Sequence, residues 1–227
     1  MAAVNDGFYN VSFQRVLDKL TAEALRFLSA EQSYLLNNLS REDVALEMGC
    51  GTGRLLKVLA AHAAHFTGLD YSRVQFEEAA RNTAKYRDKT ALVLGDARRP
   101  PLPYNWYDLV IISYNTINSL NEPSGESQLE VLGSVNQLLV PDGRLIVTTW
   151  SENALDVQLE HCASVGFPHV VETTDDYVHV RSDEGVDVKC GRSSPQKLEA
   201  LLGKTGFKGK IERLTDYSYA CLAVKSA

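Results

Sequence analysis

The sequence predicts a doubly wound α/β fold, in which helices cover both faces of a mostly parallel sheet. Short apolar runs alternate with stretches of helical spacing over residues 44–150, and a glycine-rich turn joins the first run to the helix that follows it. Each crossover between parallel strands places a helix over the sheet. Because the 227 residues contain no internal repeat and no separating linker, we expect one domain.

The periodicity of apolar residues places the elements of the first two thirds of the chain. Residues 13–28 carry one apolar stripe at helical spacing, and Ser72 is a predicted N-cap. The turn Pro141-Asp142-Gly143 leads into a fifth strand. The predicted strands are residues 44–48, 64–69, 90–94, 107–113 and 144–150, and the predicted helices are residues 13–28, 54–64, 72–86 and 128–139.

The alternation changes after Trp150, which predicts a small insertion after the fifth strand. A helix is expected at residues 153–165, and strands at 177–182 and 186–190 flank Asp183-Glu184-Gly185 as a hairpin. Ser194-Pro195 begins a last helix, which two closing strands follow at 208–214 and 217–224. The single domain therefore divides into an N-terminal helical cap (1–39), a core (44–150), an insertion (151–194) and a closing helix with strands (195–227).

Composition and charge exclude several classes of function. The net charge of −6 and the pI near 5.4 give no general attraction to phosphate backbones, so nucleic acid is a disfavoured partner. The sequence has no signal peptide and no apolar run of about 18 residues, so we expect a cytoplasmic protein without a membrane partner. His62 and His65 lack a third ligand and the cysteines lack metal spacing, so no metal is expected.

The glycine turn is the first candidate for a ligand site, because ligands of open α/β sheets bind beyond the carboxyl ends of the strands. Such a turn also occurs at ordinary strand-to-helix corners. Asp70 ends the next strand, where a carboxylate can accept hydrogen bonds from ribose hydroxyls. Arg54 replaces the third glycine of the dinucleotide motif, and no Gly-Lys-Ser/Thr follows. Glu47 would repel a pyrophosphate and attract a cation, so the pattern favours a cationic nucleoside.

Five motifs, in this order, resemble those of the class I S-adenosylmethionine-dependent methyltransferases. The motif at residues 46–53, LEMGCGTG, is similar to the acidic and glycine-rich first motif of that family. The other four are residues 68–72, 95–97, 107–113 and 138–145. The resemblance implies a Rossmann-like sheet of seven strands whose last strand is antiparallel.

The resemblance also implies S-adenosyl-L-methionine as the cofactor. It implies that Asp70 binds the ribose, that Tyr71 lies against the adenine, and that Asp96 and the backbone amide of Ala97 meet the adenine ring. Asp96 has the alternative role of capping a turn. The implied cofactor-binding residues are Glu47, Gly49, Cys50, Gly51, Gly53, Asp70, Tyr71, Asp96, Ala97 and Ser113.

Methyl transfer from a sulfonium needs mainly alignment and desolvation, so few catalytic residues are expected. Tyr114 and Asn115 follow the fourth strand and are predicted to orient the nucleophile, with Tyr9 reaching the site from the N-terminal segment. The alternative is that the tyrosine packs under a loop and the asparagine closes a turn. The family's Asn-Pro-Pro-Tyr motif and the acidic ligands of its metal-dependent members are absent from residues 113–116. Residues 114–120 are instead similar to the loop of small-molecule methyltransferases that act on glycine.

The predicted function is therefore methylation of a nitrogen or oxygen atom of a small molecule. Residues 1–30 and the insertion are expected to cover the methyl group, with Phe8, Tyr9 and Phe13 on one side and His161, Tyr177 and His179 on the other. The N-terminal helix has the alternative role of only covering the sheet. A methyltransferase acting on a protein side chain or terminus stays open, and so does a non-catalytic scaffold with this fold.

Overall fold

The computed structural model describes residues 12–120 and 126–226, which contain ten strands and eight α-helices. The strands are β1 (Val44–Met48), β2 (His65–Asp70), β3 (Thr90–Leu94), β4 (Tyr107–Ile112), β5 (Leu139–Trp150), β6 (His169–Thr173), β7 (Tyr177–Arg181), β8 (Asp187–Gly191), β9 (Phe207–Thr215) and β10 (Ser218–Lys225). The helices are α1 (Gln14–Leu17), α2 (Ala22–Asn38), α3 (Arg54–Leu59), α4 (Arg73–Asn82), α5 (Thr116–Ser119), α6 (Glu126–Leu138), α7 (Leu155–Ser164) and α8 (Pro195–Lys204).

Seven strands form the central sheet in the order β3-β2-β1-β4-β5-β10-β9. Strands β1 to β5 are parallel, and β10 lies antiparallel between β5 and β9. The predicted doubly wound fold with an antiparallel last strand is confirmed. The order reverses beside β1, so the carboxyl ends of β1 and β4 border the crevice where ligands of such sheets bind.

The core lies on both faces of this sheet, because β1 and β4 alternate between two apolar layers. Leu46 and Met48 pack with residues of α6 and α8 on one face, whereas Ala45 packs with α3 on the other. The carboxylate of Glu47 follows Ala45 by two residues and is buried at the end of the second layer. A charged residue in such a position costs free energy unless a partner compensates it, which marks this end of β1 as a site.

Three local predictions were wrong. The predicted helix at 13–28 is two helices, because Thr21 is the N-cap of α2 and its hydroxyl accepts a hydrogen bond from the Ala24 amide. Strand β5 runs through the predicted turn at Pro141-Asp142-Gly143, where Asp142 takes a positive φ of 61° and the register with β4 shifts. The insertion contains a third strand, β6, which pairs with β7. Every residue of β6 is exposed, so its sequence has no alternation to predict it.

No helix within residues 12–120 and 126–226 is long and apolar enough to cross a membrane.

Candidate active site

The glycine turn between β1 and α3 needs glycine for its conformation and its space. Gly49, Gly51 and Gly53 have φ values of 75°, 52° and 76°, in the left-handed region where a side chain is strained. A Cβ atom on Gly49 would lie 2.6 Å from Cγ2 of Thr116. The Gly49 amide donates to the Leu69 carbonyl at 2.8 Å, which fixes the turn against the end of β2.

Asp70 lies where the sequence places the ribose-binding acid, and it already holds the turn. Its carboxylate accepts hydrogen bonds from the amides of Gly51 (2.8 Å) and Ser72 (2.9 Å), the N-cap of α4. Burial raises the pKa of Asp70, although these amides oppose that shift. The backbone amide of Tyr71 also bonds to this carboxylate, and since a carboxylate has about four lone-pair positions, room remains for a ligand hydroxyl.

Glu47 presents an uncompensated oxygen at the end of β1. Its Oε1 accepts a hydrogen bond from the Ser113 hydroxyl at 2.7 Å. Its Oε2 is buried and has no hydrogen-bond partner among the described residues. Burial raises the pKa of Glu47 to about 7. A carboxylate oxygen of this kind fits a ligand that carries a positive charge.

The other predicted cofactor residues lie at the same edge of the sheet. Asp96 follows β3 and accepts from the guanidinium of Arg98, with Nη2 at 2.6 Å, an ion pair that the sequence analysis did not anticipate. This hydrogen bond lowers the pKa of Asp96. Cys50 is buried, whereas Tyr71 is 62% exposed beside the end of β2. The carbonyl of Ala97 accepts a hydrogen bond from a serine hydroxyl of α6 at 2.7 Å.

Tyr114 and Asn115 form a strained corner after β4. Their φ values are 41° and 67°, and each such residue costs roughly 1 to 3 kcal/mol. The Asn115 amide group donates to the Gly191 carbonyl at 3.0 Å and accepts from the Thr149 hydroxyl at 2.9 Å. Both ends of this side chain are bonded to the protein. The catalytic role of Asn115 stays a prediction, and these contacts favour the alternative in which it holds the turn.

Glu31 of α2 supports the same corner, and the sequence analysis missed it. It is fully buried, and its Oε1 accepts from the Tyr114 amide at 2.7 Å. It also accepts from the Thr148 hydroxyl and pairs with the Arg54 guanidinium. The signal was present in the sequence. Phe27 and Leu35 lie four residues before and after Glu31, so the buried stripe of α2 passes through this carboxylate.

Aromatic rings surround Tyr114 and extend to the glycine turn. The ring of Tyr114 lies 5.3 Å from Phe27, 6.0 Å from Phe13 and 6.3 Å from Trp150 between centroids. A Cβ atom on Gly51 would lie 3.7 Å from Cδ1 of Phe13. The segment before α1 is held there by α4, because the Phe13 amide donates to the Gln75 side chain at 3.0 Å. Phe13 therefore bridges the glycine turn and Tyr114.

The insertion reaches Tyr114 from the other side through one of the three predicted residues. Nε2 of His161, on α7, lies 3.2 Å from the Tyr114 hydroxyl. Tyr177 instead donates to Glu172 at 2.7 Å, and His179 pairs with Asp187 at 2.9 Å, both within the β6-β7-β8 sheet. Phe8 and Tyr9 lie outside the described residues. Within residues 12–120 and 126–226, no three His, Cys, Asp or Glu side chains are placed to hold a metal ion.

Comparisons with known proteins match this arrangement. A family model described as a methyltransferase domain matches residues 45–143. A comparison with curated proteins gives no match. Among solved structures, a protein of Pyrococcus horikoshii is 18% identical, with a TM-score of 0.75 over 94% of this chain and 98% of its own. The CcbJ methyltransferase of Streptomyces caelestis is 17% identical, with a TM-score of 0.71 over 96% of this chain and 98% of its own.

A third similar structure was solved with its ligands. It is the 1,6-didemethyltoxoflavin N1-methyltransferase of Burkholderia thailandensis, with bound 1,6-didemethyltoxoflavin and S-adenosylhomocysteine. It is 15% identical, with a TM-score of 0.65 over 89% of this chain and 79% of its own. At these identities the structural likenesses establish the fold.

Proposed function

We propose that the chain, whose residues 45–143 match a family model of a methyltransferase domain, is a class I S-adenosylmethionine-dependent methyltransferase that methylates a nitrogen or oxygen atom of a small molecule. The observation that carries the small-molecule assignment is the position of Phe13. Its ring lies beside Gly51 of the glycine turn and packs on the ring of Tyr114, which supports a covering role of the N-terminal segment between the proposed cofactor and acceptor sites.

The residues at the ends of β1 and β2 fit S-adenosylmethionine. Glu47 has a buried oxygen without a partner among the described residues, which suits the positive charge of this cofactor. Asp70 has room left for a ribose hydroxyl, and the glycines of the turn allow close approach of the backbone. Tyr71, Asp96 and the Ala97 amide stay the proposed adenine ligands. When bound, the cofactor would supply a sulfonium methyl group, whose carbon a lone pair of the acceptor would attack in line with the C–S bond, and the electrons of that bond would remain on sulfur.

The chain's own residues align the acceptor and exclude water. In this proposal the phenolic oxygen of Tyr114 accepts a hydrogen bond from an N–H or O–H of the acceptor, which directs the lone pair of the nucleophile. Phe13, Phe27 and Trp150 surround Tyr114 with apolar rings and keep its surroundings dry. Tyr9 stays a proposed contributor from the N-terminal segment.

The experiment that tests this function uses the purified full chain with methyl-labelled S-adenosylmethionine and a host-cell extract separated into small-molecule and protein fractions. We expect label in the small-molecule fraction. Label found only in protein would favour the alternative of a protein methyltransferase. Absence of label in both fractions, with cofactor bound, would favour the non-catalytic scaffold.

Two variants connect the result to the structure. Phe13→Ala should lower methyl transfer to the small-molecule fraction at least tenfold, as for a misaligned acceptor, while the protein remains folded. Leu25→Ala is the matched control, because Leu25 is 55% exposed on the neighbouring α2. Equal activity of Phe13→Ala and Leu25→Ala would contradict a covering role for the N-terminal segment.

A further inference from the structure

The Tyr114 hydroxyl has one hydrogen-bond partner among the described residues, and the insertion supplies it. Nε2 of His161 lies 3.2 Å from the hydroxyl oxygen, although 47 residues separate the two side chains. The three rings around Tyr114 belong to Phe13, Phe27 and Trp150, and none offers a carbonyl or carboxylate acceptor from its side chain. The state of His161 therefore decides where the hydroxyl proton points.

We propose that His161 is a positioning residue whose Nε2 accepts a hydrogen bond from the Tyr114 hydroxyl, so that the phenolic oxygen faces an N–H donor of the methyl acceptor. This inference rests on the proposed function. The opposite arrangement, with Nε2–H donating to the phenol, would direct the phenolic proton at the lone pair of the nucleophile and block it. Only the first arrangement leaves the nucleophile's lone pair free.

Both groups are uncharged in their surroundings, which agrees with this arrangement. Burial lowers the pKa of His161 to about 4, so its imidazole is neutral near pH 7 and one ring nitrogen is an acceptor. Burial and the nearby Glu31 raise the pKa of Tyr114, so the phenol keeps its proton. Nδ1 of His161 is buried without a partner among the described residues, so the bond to Tyr114 is the described contact that bears on the tautomer.

The pair also selects the class of acceptor. With Nε2 of His161 bonded to the Tyr114 hydroxyl at 3.2 Å and its proton on Nδ1, the imidazole has no lone pair left to take the proton of an alcohol. An amine or a heterocyclic nitrogen attacks with its own lone pair and loses its extra proton to water after methylation. The geometry therefore favours methylation of nitrogen over methylation of a hydroxyl oxygen.

The direct test observes the imidazole itself in the full chain. With ¹⁵N-labelled histidine, the five histidines are assigned by comparison with His161→Gln. We expect His161 to show an unprotonated Nε2 and a protonated Nδ1, with no titration between pH 5 and 8. Tyr114→Phe should shift these signals but not those of His169, which lies on β6. Three results would overturn the proposal: a protonated Nε2, a titration of His161 near the usual pKa of about 6.5, or His161 signals that do not change in Tyr114→Phe.

The kinetic test uses methyl-labelled S-adenosylmethionine and the small-molecule extract fraction as acceptor. His161→Phe should lower the rate at saturating cofactor roughly tenfold, the effect of one lost hydrogen bond, without changing cofactor affinity. His161→Gln, whose amide oxygen can accept, should recover part of the rate, and His169→Gln is the control. His161→Phe should add nothing in the Tyr114→Phe background. Additive losses would overturn the proposal. Absence of labelled product in the wild type would instead count against the proposed function. The ¹⁵N signals of His161 would still show whether its Nε2 accepts from Tyr114.

Discussion

Replacement of Glu47 by Gln should have opposite effects on the stability of the free protein and on cofactor affinity. Glu47 is fully buried, its Oε1 accepts from Ser113, and its Oε2 has no partner among the described residues. Gln keeps the shape and the bond to Ser113 but cannot carry charge. The substitution therefore removes a buried negative charge that a cationic ligand would compensate.

The effect on stability follows from the raised pKa. Burial raises the pKa of Glu47 from 4.5 to about 7 in the folded protein. Folding therefore favours the protonated form, so the stabilisation is complete below pH 4.5 and is lost as the pH rises to 7. The difference corresponds to about 3 kcal/mol. Glu47→Gln should therefore raise the free energy of unfolding of the cofactor-free protein by roughly 2 to 3 kcal/mol at pH 8, with little effect near pH 4.5.

The effect on binding has the opposite sign. Only ionised Glu47 attracts a cation, and the ionised fraction rises from about 3% at pH 5.5 to about one half at pH 7. The wild-type affinity for S-adenosylmethionine should therefore increase about fifteenfold over this interval, or roughly 1 to 2 kcal/mol. The amino group of the cofactor stays mostly protonated there, since α-amino groups have pKa values of about 7.7 to 8.0. Glu47→Gln should bind more weakly and lose this slope.

Calorimetric titrations at pH 5.5, 6.3 and 7.0, with urea unfolding at pH 4.5 and 8, measure both effects. Glu77→Gln is the matched control, because Glu77 is exposed on α4. The reasoning fails if Glu47→Gln retains the wild-type pH dependence of affinity. It also fails if this variant is less stable than the wild type at pH 8.

Three further substitutions test the site. Asp70→Ala should weaken S-adenosylmethionine binding by roughly 1.5 to 3 kcal/mol, the range for hydrogen bonds to a charged group, and unchanged affinity in a folded variant would exclude Asp70 as the ribose ligand. Gly49→Ala should destabilise the protein by roughly 1 to 3 kcal/mol in thermal unfolding, because its φ is 75° and Thr116 is too close. In contrast, Gly133→Ala, with open space in α6, should not destabilise it. Glu31→Ala should cost about 3 kcal/mol in urea unfolding, the lower end for a broken buried ion pair, because Arg54 keeps 19% side-chain exposure.

Much of the sheet was predictable because its strands are short apolar runs bounded by strong turn signals. The Gly49 to Gly53 turn and the N-caps Ser72 and Ser194 fix where strands end and helices begin. The insertion was less predictable. Strand β6 is exposed along its length, and its backbone pairing with β7, rather than a buried face, makes it a strand. Neither the helical nor the strand periodicity of apolar residues can predict such a strand.

The cofactor side of the site could be located from the sequence because its residues follow consecutive strands of one sheet. Glu47, Asp70 and Asp96 end neighbouring parallel strands, so topology alone brings them to one edge. Ion pairs between neighbouring side chains could not be predicted in the same way. The Asp96 to Arg98 ion pair depends on a rotamer choice in an exposed turn, which spacing does not determine. The assignment of individual cofactor ligands stays a prediction.

The acceptor side was harder to predict because segments that are distant in the sequence meet at one strained corner. They are the segment before α1, helix α2, helix α7 and the end of β8. Two consecutive left-handed residues, Tyr114 and Asn115, together cost roughly 2 to 6 kcal/mol, so strong contacts must hold them. Glu31 of α2 binds the Tyr114 amide, and Gly191 at the end of β8 binds the Asn115 side chain.

These contacts change how the N-terminal helices relate to function. The sequence offered two roles for this region, a lid over the methyl group or a cover for the sheet. Helix α2 buries Phe27 and Leu35, as expected of a helix that covers the sheet. The same buried stripe contains Glu31, whose carboxylate accepts a hydrogen bond from the Tyr114 amide. Phe13, just before α1, packs on the ring of that tyrosine. A substitution in α2 that leaves the fold intact but moves Glu31 should therefore alter Tyr114 before it alters the sheet, because the strained corner depends on that carboxylate for a backbone hydrogen bond, whereas β5 contacts it only through the side chain of Thr148.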